Sequence, residues 1–219
     1  MNTLELLYDH YKETFSLSKE AQARRNKSFI VLCILEAISF LLLLKPEKIF
    51  ELIREGINKE LDMTLQLSNT IIQTLLWLLI VYVMIRYIQD MLYIERQYIY
   101  LDNLEKEITN LGAINIFARE GTNYQRNYPI VLNFIDLFYK MLMPIFFALI
   151  NSVRIYREWM LLNKVTISFI CDMILFMSIF VINWFYFFEM HSKFTSFCKR
   201  YVPLVDVISK KLRKILKEV

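Results

Sequence analysis

Apolar positions gather into four long runs, residues 28–44, 70–87, 130–153 and 165–190, each near or above the ~17 residues that carry a helix across a hydrocarbon core. The first run, "SFIVLCILEAISFLLLL", has almost no polar face, which argues against a soluble bundle with buried helices. The pattern predicts an all-α integral membrane protein with four transmembrane helices, the membrane domain extending over 28–190.

The polar segments between the runs keep a helical period. In residues 3–27, Asn2 and Glu5 have capping-box spacing, and Leu4, Leu7, Tyr8, Tyr11 and Phe15 fall on one stripe. An N-terminal amphipathic helix leading straight into the first span is expected. "KPEKIFELIREGINKEL" places Pro46 and Glu47 at a helix start, with Ile49, Phe50, Ile53, Ile57 and Leu61 on one face, as in a helix lying at a membrane surface. Beyond Arg86, the positions Met91, Ile94, Tyr98, Leu101, Ile108 and Leu111 recur at helical steps until Gly112. One helix from about 69 to 111 would therefore leave about 20 residues, or ~30 Å, outside the bilayer. Its apolar seam requires a partner helix, either from the same chain or from a second subunit, and the latter choice predicts a homo-oligomer. Residues 117–129 read as the turn that closes this stalk region, 88–128.

The tail, 191–219, ends in a basic amphipathic helix on which Lys210, Lys211, Arg213, Lys214 and Lys217 oppose Val205, Ile208, Leu212, Ile215 and Val219. That pattern suits an anionic lipid surface or packing against the stalk, and nucleic acid is the lesser reading. Lys and Arg number five before the first span, five in 86–129 and eight after Met190, against four and three in the other two connections. This bias predicts both termini on the cytoplasmic side of a cytoplasmic (inner) membrane. Mean hydropathy of +0.36 agrees with a multi-pass protein. The three cysteines, Cys33, Cys171 and Cys198, imply no disulfide framework.

Candidate chemistry is sparse. The three glycines, Gly56, Gly112 and Gly121, build no phosphate-binding loop, and His10 and His191 have no neighbours at metal-ligand spacing. No catalytic motif, metal site or cofactor is expected. Charge inside the spans is the outstanding feature: Glu36, Asp136, Lys140 and Asp172. Asn133, Asp136, Lys140, Pro144 and Asn151 share a helical stripe, repeated more weakly by Ser168, Asp172 and Asn183. Intramembrane ionisable groups usually face a partner or a wet cavity. The spacing offers Lys140 two acidic partners, Asp136 one turn away and Glu36 at a similar expected depth. The stripe reads either as a packing network or as a wet path.

In "RRNKSFIVLCILEAISFLLLL", "RYIQDMLYIERQYIYLDNLEKEITNLG" and the basic tail, the architecture resembles small four-span membrane proteins of prokaryotic antiviral systems. The resemblance implies cytoplasmic helices that detect infection and a membrane part that assembles or changes permeability. The first functional expectation is a non-enzymatic homo-oligomeric membrane effector or channel controlled through its cytoplasmic helices. The alternative is a membrane anchor or sensor that recruits a soluble cytoplasmic protein partner.

Overall fold

The computed structural model describes residues 3–62, 68–112, 130–161 and 165–190, and there every regular element is helical. In chain order these are α1 (Thr3–Leu44), α2 (Pro46–Leu61), α3 (Asn69–Gly112), α4 (Ile130–Leu137), a π-helical turn (Phe138–Leu142), α5 (Met143–Leu161) and α6 (Ile167–Met190). Four stretches, Thr3–Leu44, Asn69–Leu111, Phe138–Met160 and Ile167–Phe187, are long and apolar enough to cross a membrane. Packing groups the chain into two units, Met1–Ile179 and Phe180–Val219, with the boundary inside α6. The basic tail, including Lys210, Lys211, Arg213, Lys214 and Lys217, lies outside the described residues.

Neither α1 nor α3 contains an interior Gly or Pro, so nothing breaks the backbone ladder. At 42 and 44 residues they extend about 63 and 66 Å, roughly twice a ~30 Å hydrocarbon core. They pair antiparallel. Tyr11 donates to Glu105 at 3.0 Å, Gln22 to Tyr98 at 3.1 Å and Arg24 to Asp90 at 3.4 Å. His10 and the Tyr100 hydroxyl are 2.8 Å apart. On α1 the buried stripe is small, Thr14, Ser18 and Ala21; on α3 it is large, Met91, Ile94, Leu101, Leu104 and Ile108. Half of the apolar α3 window is buried, against 22% for α1 and for α6, which makes α3 the central helix.

The seam expected to seek a second subunit is thus filled from within the chain. Met91, Ile94, Leu101 and Ile108 are buried and Tyr98 is half-buried beside α1, while Leu111 is 61% exposed. The covering surface is the N-terminal half of α1, whose own stripe has the matching period.

α2 begins at Pro46 and ends with Asp62 in the left-handed region, φ 49°. It buries Phe50 and half-buries Ile49, Ile53 and Ile57 on the expected face, while Leu61 is exposed.

Between α4 and α5 the helix widens by one residue per turn. The Met143 N–H reaches the Phe138 carbonyl rather than that of Tyr139. Pro144 supplies the reason: its ring would clash with the Lys140 carbonyl in an α-helix, and it has no N–H to give. The Tyr139 carbonyl then loses both helical donors within reach, and the buried Tyr87 hydroxyl donates to it at 2.9 Å.

Candidate functional site

α1 and α5 run parallel, so residues 115 apart in sequence meet. Asn151 donates through Nδ2 to Glu36 Oε1 at 2.6 Å and to the Phe147 carbonyl at 2.8 Å. One turn further, Arg154 donates through Nη1 to Ser39 Oγ at 3.0 Å and through Nη2 to the Gln73 carbonyl at 3.2 Å. Its guanidinium carbon lies 4.2 Å from the centre of the Trp77 ring, a cation–π contact strengthened by removal from water. Ser39 can accept because its own proton goes to the Leu35 carbonyl at 2.9 Å. Glu36, Asn151 and Arg154 are 2%, 0% and 3% exposed.

Another turn along α5, Glu158 lies beside Asp172 of α6 and Gln73 of α3. Three carboxyl groups, Glu158, Glu36 and Asp172, therefore surround Arg154. Four acceptor oxygens of this cluster, Glu36 Oε2, Asn151 Oδ1, Glu158 Oε2 and Asp172 Oδ1, are buried without a donor among the described residues, as Trp77 Nε1 is without an acceptor. Buried polar atoms in that state cost about 1–3 kcal/mol each.

The cluster borders a cavity of about 270 Å³ whose walls include Ser39, Thr70, Gln73, Arg154, Arg157, Glu158 and Ser168, with Pro46 and Phe50 of α2 at its edge. Two helix starts adjoin it: Ser68 accepts from the Ile71 N–H at 3.4 Å and Thr166 from the Phe169 N–H at 3.3 Å. Thr74 and Ser168 join α3 to α6 through their hydroxyls, 2.8 Å apart.

Of the stripe read from sequence, Glu36, Asn151 and Asp172 come together here. Lys140 does not. It forms an ion pair with Glu95 of α3, near Arg25, whose guanidinium lies over the Tyr139 ring. Glu36 sits opposite Asn151, 11 residues beyond Lys140 and about 16 Å along the helix, so the expected equal depth of Glu36 and Lys140 is corrected. Asn133 and Asp136 lie on α4, but their side chains are outside the described residues. Asn183 belongs to the second unit, in the last part of α6.

Arg154, Glu158, Ser39 and Gln73 were not singled out from the sequence. A signal existed, since Arg154 and Glu158 continue the polar stripe three and seven residues past Asn151. Among the described residues, no group of three or more His, Cys, Asp or Glu could hold a metal ion. No family model, curated protein or solved structure matches the chain.

Proposed function

We propose that this chain is a non-enzymatic membrane sensor that relays the state of the Arg154 cavity to a soluble protein partner through the α1–α3 hairpin. In this reading both termini and the far end of the hairpin are cytoplasmic, as the Lys and Arg bias indicates, and the cavity and α2 are on the outer side. One observation carries the proposal. Each long helix is unbroken from the cavity wall, at Ser39 on α1 and at Thr70 and Gln73 on α3, to the distant Tyr11–Glu105 pairing. A change in packing at the cavity is then delivered by two stiff rods. Tyr8, Leu17, Ile99 and Tyr100, exposed along the hairpin, give a partner an apolar and aromatic surface. The antiviral setting suggested by the architecture is compatible with this role, and infection of strains with and without the gene tests it.

The experiment fills the cavity. With the native cysteines replaced, spin labels at Glu13→Cys and Glu107→Cys, both on exposed positions, report the hairpin in nanodiscs. Ser168→Phe should change the distance distribution between them. An unchanged distribution, with the fold retained, rejects the relay.

A homo-oligomeric channel is the second reading, favoured by the charged and amide groups buried within the crossing helices. Four helices are too few to enclose a wide path alone, so this reading needs several copies. Ion flux from liposomes that is lost in Asn151→Leu while assembly persists would favour it.

A further inference from the structure

The charge inventory of the Arg154 cluster is unbalanced. Facing one another are Glu36 from α1, with the Cys33 thiol nearby, Arg154 and Glu158 from α5, and Asp172 from α6. α3 contributes Gln73 and Trp77, which carry no charge, and Pro46 and Phe50 of α2 reach the cavity edge, where Arg157 is the remaining charged group. Glu36 and Asp172 are buried and Glu158 is half-buried at the cavity wall, so three carboxylates against one buried guanidinium leave negative charge unmatched inside the cluster, which is disfavoured without compensation.

The orphan oxygens indicate how the balance is made. A hydrogen bond between two carboxyl groups exists only when one of them carries a proton, and Glu158 and Asp172 adjoin one another with one buried, unpartnered oxygen each, Oε2 and Oδ1. A primary amide that donates to one carboxyl oxygen can accept from the other when the acid is protonated, closing a ring of two hydrogen bonds. Asn151 already donates to Glu36 Oε1, and the unpartnered atoms left on that pair are Glu36 Oε2 and Asn151 Oδ1. Two protons would supply donors for all four orphan acceptors and leave one carboxylate to offset Arg154.

The geometry points to a two-proton binding site: one proton on Glu36 facing Asn151, and one shared by Glu158 and Asp172 in the wall of the cavity through which water delivers it. This deepens the sensor reading, on which it rests for its biological use, by naming the proton as the bound species. Proton occupancy itself requires no signalling.

Infrared spectroscopy of the protein in nanodiscs, with protonated carboxyl bands identified by their shift in D2O, tests the site. At neutral pH the wild-type protein should give two such components from this cluster. Glu36→Gln should delete one and Glu158→Gln the other. Each glutamine offers an N–H where the acid offered O–H, so both variants should fold with a near-native unfolding temperature. Absence of protonated carboxyl in the wild-type spectrum, or persistence of both components in both variants, overturns the proposal. The spin-label distances are a separate readout. If the bands behave as expected while the hairpin ignores the cavity, the proton site stands and the relay falls; if the hairpin responds and the bands are missing, the reverse holds.

Discussion

The Tyr87 hydroxyl donates to the Tyr139 carbonyl at 2.9 Å, repairing a helix that Pro144 has opened. The carbonyl would otherwise be buried without a donor, since the Met143 N–H is engaged by Phe138 and Pro144 has none. Tyr87→Phe should destabilise the protein by about 1–3 kcal/mol. Pro144→Ala permits an ordinary α-helix, so the tyrosine substitution should cost much less on that background. Thermal unfolding of the two single variants and the double variant in detergent checks this, and additive effects would contradict it.

Burial within the hairpin separates two leucines of the same seam. Leu101 is 0% exposed and Leu111 61%. Leu101→Ala should cost about 2–5 kcal/mol, whereas Leu111→Ala should stay within about 0.5 kcal/mol. Chemical unfolding and protease sensitivity of the hairpin measure the contrast. Because α1 of the same chain covers Leu101, its loss should loosen the hairpin without a required change in particle mass.

Arg154 holds two helices and compensates an acidic neighbour, so its removal has a cost beyond lost hydrogen bonds. Arg154→Gln should destabilise by about 3–5 kcal/mol, as for other buried pairs stripped of one member. Glu158 is its strongest acidic neighbour, and Glu158→Gln should recover part of that loss. Arg154→Lys should recover little, because an ammonium cannot reproduce the fork to Ser39 and Gln73 or the stacking on Trp77. Unfolding midpoints of Arg154→Gln, Arg154→Gln with Glu158→Gln, and Arg154→Lys rank the three variants.

Orientation is open to direct labelling. A side chain added at Gly56 on α2 meets open space, and Lys106 on α3 is exposed. With native cysteines replaced, Gly56→Cys should react with an impermeant thiol reagent on intact cells, and Lys106→Cys only after the membrane is opened. The opposite pattern would invert the topology and put the cavity on the cytoplasmic face.

The helical period alone disclosed the continuity of α3 from Asn69 through the stalk, the Pro46 start of α2 and which face of each is apolar. Periodicity says where an apolar stripe lies but not what covers it, so the α3 seam could equally have served another subunit. Hydropathy drew the end of the third span at Val153, and Arg154 and Glu158 consequently read as part of a connection. A buried arginine with an aromatic ring, a serine and a carbonyl around it is invisible to a scale that scores each residue alone. Depth was misjudged for Lys140 because the sequence does not reveal how far one helix slides along its neighbour, and the π-helical turn at Pro144 adds to the shift.

The hairpin's length also decides which electrostatic field a bound partner experiences. His10 and Tyr100 touch 15 residues beyond the level of Arg25 on α1, about 22 Å along the helix. Under physiological salt the potential of charged lipid headgroups decays over about 8 Å. In the proposed topology, with the headgroups taken at the level of Arg25, a partner docked at that end would be electrically insulated from the bilayer, and its affinity should depend on the hairpin's own side chains while remaining indifferent to the fraction of anionic lipid beneath it.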